Sequence, residues 1–411
     1  MSTPPHPVRV VVTDDLHRSR LTVLFRVFLA IPHYLWALLI GSVVAVCVFV
    51  NWFVLLVKGR TPDGLHSFIA GYIRYLMHLE AYFLVAADPF PGFYLLGNDP
   101  YPVDLEIDPP QRQSRWKTGF RLFLAIPGML VASALFFGGP RGGNYFASGV
   151  ALLVAVLVWW VALIRGRVPR GMRDLLVYCL GYGAQLSAYL FLLTDRYPFA
   201  SPSTFVSRPE LAVAPPDDHP HPVSLSVQDD LRRSRLIVLF RLPLVIPHLV
   251  WLILWALVAF ATAILTWVWA IVSGAPPRHF HRFLSRFVRY ATHVYAFASL
   301  VGNPFPGFVG KPGSYPIDLD LPAPEPQKRL ISAFRLVLAV PALLISGGLG
   351  GALLVAAFLG WFVGLFLGRM PVGLRDLGAY ALRYSGQVSA YLYFVTAAYP
   401  NSGPRPDSAS P

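Results

Sequence analysis

LTVLFRVFLAIPHYLWALLIGSVVAVCVFVNWFVLLVK, residues 21–58, carries one charge, Arg26, ahead of its closing Lys58. About 20 apolar residues suffice to cross a bilayer, and a soluble domain has no use for an apolar run this long. A second run, residues 236–273, again holds a single charge, Arg241. Around these runs the composition agrees: of 411 residues, 55% are hydrophobic and 13% charged, where soluble domains carry about 25% charged residues. The net charge is +13. Its Lys and Arg residues flank the apolar runs, so they read as anchors at anionic lipid headgroups rather than as a nucleic-acid surface. Cys47 and Cys179 sit inside apolar segments and suggest neither a disulfide framework nor a metal site. The first run is too long for the apolar core of a signal peptide.

The run is one of four. FRVFLAIP from Phe25 returns as FRLFLAIP from Phe120, FRLPLVIP from Phe240 and FRLVLAVP from Phe334. Each follows, at a constant distance, a short alternating run: HPVRVVV from His6, YPVDLEI from Tyr101, HPVSLSV from His221 and YPIDLDL from Tyr315. Gly59, Gly166, Gly274 and Gly368 open Pro-containing loops (GRTPDGL, GRVPRGM, GAPPRHF, GRMPVGL). A third motif follows each loop: RYLMHLEAY from Arg74, GYGAQLSAY from Gly181, RYATHVYAF from Arg289 and RYSGQVSAY from Arg383. Repeat two is lengthened by an insert around GGPRGGNY. DDLHRSR from Asp14 matches DDLRRSR from Asp229, so a two-repeat half has been duplicated. The expected organisation is repeat one over residues 1–100, repeat two over 101–205, a linker over 206–220, repeat three over 221–314, repeat four over 315–400, and a disordered tail over 401–411.

These motifs together resemble a bacterial membrane-protein family catalogued as domain of unknown function 4389, in tandem copies over nearly the whole chain. The resemblance implies a membrane protein and no assigned reaction, so it carries over no catalytic residue. Gly181 and Ala275 depart from its pattern at positions where the other copies have Arg.

The fold class expected is an all-α polytopic membrane protein whose short β-strands form one small sheet beside the membrane. The alternation of Val8, Val10 and Val12 and of Val103, Leu105 and Ile107 marks those strands. Strands that pair lie on one side, so each repeat crosses an even number of times, eight crossings in all, with cytoplasmic termini. Two arrangements fit. Each long run is a hairpin turning near Gly41 and Ser42, and equivalently at residues 138–144 and 347–351, followed by an interfacial helix. Alternatively, it is one kinked helix, and residues 65–87 return across the bilayer. Residues 258–261 carry no turn signal, whereas the positive-inside rule favours the hairpin and a cytoplasmic position for Arg60, Arg167 and Arg369. The repeats read as parallel rather than inverted.

Two constellations are candidate sites. Arg26, Arg121, Arg241 and Arg335 each precede a Pro by six residues, near the start of an apolar run, and are candidate contacts for lipid headgroups through snorkelling. Arg74 and His78, Arg289 and His293, and Arg383 and Gln387 lie four apart on one helical face, a candidate polar stripe. Glu80 is the main acid within an apolar segment. The Asp14/Asp15 and Asp229/Asp230 pairs are in cap positions, His279 and His281 are a weak ligand pair, and Asp217, Asp218 and His219 fall in the linker. No nucleotide, nucleophile or metal signature is present, so no cofactor is expected. The functional expectation is a non-enzymatic scaffold or accessory component of the bacterial cell membrane. It would engage anionic lipids or a protein partner, and no nucleic acid. The alternative is a small-molecule or ion transporter with a polar path between repeats.

Overall fold

A computed structural model describes residues 5–95, 100–136, 149–202 and 220–404. The chain divides into two compact units, one holding the first two repeats and the other the last two. The first contains β1 (Val8–Val12), α1 (Arg20–Lys58), α2 (Asp63–Phe83), β2 (Val103–Ile107), α3 (Arg115–Gly119), α4 (Arg121–Phe136), α5 (Val150–Arg165) and α6 (Arg170–Leu190). The second contains β3 (Ser224–Val227), α7 (Arg235–Leu239), α8 (Arg241–Ser273), α9 (Arg278–Ala298), β4 (Ile317–Asp320), α10 (Arg329–Ala333), α11 (Arg335–Leu367) and α12 (Val372–Leu392).

The loop motif is a stop-and-restart signal. Gly59, Gly166, Gly274 and Gly368 take left-handed φ values of 66–79° and close the long helices, a conformation that costs a side-chain-bearing residue about 1 kcal/mol or more. Pro62, Pro169, Pro277 and Pro371 then stand at the N-caps of the next helices, where a missing N–H is harmless.

The hairpin reading is overturned. Gly41 and Ser42 lie inside the unbroken α1, and residues 347–351 lie inside α11. In an apolar run a broken turn leaves backbone groups with no water to satisfy them, and neither Gly41 with Ser42 nor the four glycines of residues 347–351 force that cost. Residues 258–261 are helical in α8, as their lack of a turn signal implied. The insert at 138–144 with Arg141, the linker residues Asp217 to His219 and the tail from residue 405 lie outside the described residues. Among those described, α1, α8 and α11 are long and apolar enough to cross a membrane. The other long helices, α2, α6, α9 and α12, are not among them, and eight crossings are not supported.

The expected single sheet is instead two separate antiparallel ribbons, β1 with β2 in the register Val10↔Leu105 and β3 with β4 in the register Leu225↔Leu319. Each unit is a stack of three layers. In the first, α2 and α6 lie side by side. The ribbon covers one of their faces, and α1, α4 and α5 cover the other. In the second, α9 and α12 form the middle layer between the β3–β4 ribbon and the helices α8 and α11. The α2-type helices expected at the interface are thus internal.

Within a unit the repeats run in opposite senses, not parallel. Arg18 N–H bonds Gly166 O, tying the start of α1 to the end of α5, and Gln113 N–H bonds Gly59 O, tying the start of α3 to the end of α1. The second unit repeats this with Arg233 to Gly368 and Gln327 to Gly274. Four tryptophans lock these junctions: the indoles of Trp52, Trp159, Trp267 and Trp361 donate to Thr118 O, Val23 O, Ser332 O and Val238 O at 2.9–3.1 Å. Each lies seven residues before its loop glycine. Since the segments leaving opposite ends of a ribbon run to opposite ends of the long helix, ribbon and helix lie alongside each other.

Candidate membrane-contact surface and its polar support

The four FR arginines are not at the surface. Arg26, Arg121, Arg241 and Arg335 are 1–3% exposed. Each guanidinium caps the helix that follows in its own repeat. Arg26 donates to Tyr82 O and Ala87 O, Arg121 to Tyr189 O and Thr194 O, Arg241 to Phe297 O and Gly302 O, and Arg335 to Tyr391 O and Thr396 O. Each also covers the ring of Tyr82, Tyr189, Phe297 or Tyr391 at 4.4–4.5 Å. A cation belongs at a helix C-terminus, where carbonyls lack partners, and a planar fork with ring stacking suits Arg rather than Lys. Snorkelling to headgroups is therefore replaced by internal capping.

The stripe residues are brought together, but with the ribbon. Arg74 holds the Asp104 carboxylate of β2 through two bonds of 2.6 Å, and His78 Nε2 donates to it at 2.8 Å. In the second unit Asp318 of β4 is held by Arg289 Nε at 3.2 Å and His293 Nε2 at 2.8 Å, and also accepts from Gly313 N–H at 2.6 Å. Burial alone pushes both carboxyls up. The hydrogen bonds from Arg74 and His78, and from His293 and Gly313 N–H, outweigh it and hold them below the usual carboxylate range. In the even repeats Gln185 donates to Val8 O and accepts from Phe199 N–H, while Gln387 donates to Val223 O and accepts from Asn401 N–H. Arg383 donates to Gly403 O. The helix of each repeat thus grips the strand of the other repeat in its unit.

This crossing explains the His/Gln alternation. The odd-repeat helices meet the even-repeat strands, which carry Asp in YPVD and YPID. The even-repeat helices meet bare carbonyls of β1 and of Val223 beside β3. The contact joins a helix and a strand of different repeats, 25–30 residues apart, so no local spacing marks the aspartates as its acceptors. Asp14 and Asp229 do not cap helices either. They take bidentate bonds from Arg18 and Arg233, whose guanidiniums also donate to Val85 O and Ala86 O or to Leu300 O and Val301 O. Gln113 and Gln327 replace these arginines in the even repeats, bonding Leu192 O and Phe394 O and accepting from Arg121 and Arg335. His33 and His248 lie 2.9 and 2.8 Å from the hydroxyls of Tyr75 and Tyr290 and stack on Phe93 and Phe308. In repeat two the same space, beside Gly128, is filled by Tyr197.

What remains outward is apolar on one side. Exposed large hydrophobic residues run the length of α1, α4 and α5, and of α8 and α11: Leu21, Leu24, Leu35, Val46 and Val57 on α1 are 48–71% exposed. Only a narrow strip of α1 is buried, from Val23 through Ala30, His33 and Ala37 to Val44, Asn51 and Leu55. The ribbon face bears Arg9, Glu106 and Asp108, partly exposed and paired with one another. Exposed basic residues collect at both ends of the long helices: Arg20, Arg165 and Arg167 at one end of the first unit, Lys58, Arg60, Arg112 and Arg115 at the other. Among the described residues no group of three or more His, Cys, Asp or Glu could hold a metal; His281 Nε2 is 3.1 Å from Val395 O, and His279 points elsewhere, exposed.

The fold and surface define a tandem-repeat protein of two inverted repeat pairs, each with an extensive apolar face. The family model for a domain of unknown function (DUF4389) matches residues 20–94, 144–201, 235–309 and 329–402. The chain belongs to that family, in four tandem copies. No curated protein and no solved structure matches it.

Proposed function

We propose that this chain is a non-enzymatic membrane scaffold whose units each lie in one leaflet of the bacterial cell membrane. The long helices lie in the bilayer plane, and the ribbons and termini are on the cytoplasmic side. The supporting observation is the length and placement of the apolar face. Leu21 and Val57, both exposed, are separated by roughly 54 Å of helix at 1.5 Å per residue. Fitting that belt into a hydrocarbon core of about 30 Å needs a tilt of roughly 56°, beyond the 0–40° seen for spanning helices. Crossing would also carry the charged ribbon alongside α1 to mid-bilayer, at about 2.5 kcal/mol or more per unpaired charge. Seated flat, the apolar layer meets acyl chains and the basic helix ends meet headgroups. Arg60 and Arg167, at opposite ends of one unit, then share the cytoplasmic side.

The test uses a chain lacking Cys47 and Cys179 with single cysteines at positions 24, 35, 46 or 57, eleven residues apart and so on nearly one face of α1. Depth-dependent quenching of a fluorophore at each should give one shallow depth. A profile that passes through the bilayer centre between shallow ends would refute the flat seating while leaving membrane residence intact. A second reading, a small-molecule or ion transporter, draws on the inverted sense of the repeats, a common transporter plan. It lacks the polar stripe, whose groups are engaged with the ribbons. Solute or ion flux into proteoliposomes would favour it.

A further inference from the structure

The second unit has a groove with one apolar and one cationic wall, and we infer that it binds one anionic phospholipid. This rests on the membrane reading above. The groove, about 640 Å³, runs between α8 and α9. Its wall on α8 is Trp251, Leu254, Trp255 and Val258, at i, i+3, i+4 and i+7, one apolar stripe. Its wall on α9 is His279, Arg282 and Arg286, at i, i+3 and i+7, one cationic stripe, with Phe283 between them. Phe308 and Val309 close one end.

The cationic side chains are spare. Arg282, Arg286 and His279 are exposed, and none has a hydrogen bond or ion pair among the described residues. That sets them apart from the FR, RSR and RY arginines, all of which serve internal bonds. Trp251 is anchored by its indole N–H to Phe308 O at 3.0 Å. The Trp255 indole N–H is buried with no partner in the protein, although its ring is packed on Tyr290, Phe283 and Phe287. A buried donor without an acceptor costs about 1–3 kcal/mol.

A ligand matching both walls has a phosphate for the arginines and an alkyl chain for the α8 stripe. Repeat one provides an internal comparison. At the offset that aligns Arg26 with Arg241 and Tyr75 with Tyr290, the apolar wall persists as Trp36, Leu39, Ile40 and Val43. Its opposite wall is Gly64, Ser67 and Gly71, with no charge. Cations have been placed on one copy of a shared apolar groove, which points to a charged headgroup rather than to general lipid contact.

The full chain, purified in a mild detergent, is measured by native mass spectrometry with added phosphatidylglycerol or phosphatidylcholine. One phosphatidylglycerol per chain should be retained in preference to phosphatidylcholine. The R282Q/R286Q pair should weaken that retention about tenfold or more, at roughly 1 kcal/mol per cation. Both arginines are exposed and unpaired, so an unchanged circular dichroism spectrum and melting midpoint are expected of the variant. Equal retention of both lipids, or retention unaffected by R282Q/R286Q, overturns the proposal. Displacement of the lipid by inorganic phosphate at equal concentration would also overturn it, since the site would then recognise phosphate alone. Failure of the chain to associate with any bilayer in flotation would sink the membrane reading itself, a separate result from loss of headgroup preference.

Discussion

Asp318 is where the grip between repeats is most exposed to test. Its carboxylate takes bonds from His293 Nε2, Gly313 N–H and Leu319 N–H at 2.6–2.9 Å and lies 3.2 Å from Arg289 Nε, which donates to Leu319 O; the side chains of Asp318, Arg289 and His293 are 1–9% exposed. Asp318→Ala leaves the buried Arg289 guanidinium without its counter-charge and the buried His293 imidazole without its acceptor. Breaking a buried pair in this way costs about 3–5 kcal/mol. For a unit of this size each kcal/mol moves the midpoint by about 2–4 °C, so the shift expected is roughly 6–20 °C. Asp104→Ala breaks the same contact in the first unit, where Arg74 and Asp104 are each 20% exposed. Solvent replaces part of the loss there, and about 1–2 kcal/mol is expected. Thermal unfolding in lipid nanodiscs measures both, and amide exchange at Gly313 and Leu319 should quicken in Asp318→Ala. The sign of the pH dependence is fixed by the carboxyl lying below its ordinary value of 3.8 in the folded chain. Its contribution is full above that ordinary value and is lost as pH falls through the folded value. Asp318→Asn should lack this acid limb. If Asp318→Ala melts no earlier than Asp320→Ala, a change at an exposed carboxylate of the same strand, the grip is not what holds the ribbon.

Three further outcomes follow from the helix junctions. Arg335→Lys should destabilise the second unit by about 2 kcal/mol, because one ammonium cannot reach Tyr391 O, Thr396 O and Gln327 together; a melt against wild type reads this. Gly368→Ala should cost about 1 kcal/mol for its φ of +66°, whereas Gly347→Ala, inside α11 with open space at its Cβ, should be neutral or stabilising in the same assay. Trp361→Phe should lose about 1 kcal/mol by leaving Val238 O unpaired, seen as faster amide exchange around α7.

The four repeats, their loop glycines and their strands were legible because each rests on local chemistry. A left-handed glycine, a proline at a cap and a two-residue alternation act within a few positions of themselves. Where Arg26 or His78 points is decided by a partner tens of residues away, and apolar flanks alone read as lipid contact. Gly41 with Ser42 and the basic loops point to a hairpin, but a glycine and a serine in an apolar helix lack the force to break it. The Asp104 and Asp318 partners lie in the neighbouring repeat, and Asp in the even strands with His in the odd helices is the signal that marks them. The cationic wall of Arg282 and Arg286 went unread, because three positions of one helix face gain meaning only beside the α8 wall that packs opposite them.

Because the helix of each repeat grips the other repeat's strand, a lone copy is an unfinished object. It offers a stripe with no strand and a strand with no stripe, and a second identical copy completes both through a two-fold exchange. The ancestral protein therefore had reason to be a homodimer of single repeats before fusion joined its halves. Once joined, the odd and even copies no longer had to serve as both halves of a symmetric pair. His and Asp could then settle on one side of the exchange, with Gln and bare carbonyls on the other. Cutting the gene between repeats one and two should yield fragments that reassociate only as complements, whereas cutting between repeats two and three should release units that each fold unaided.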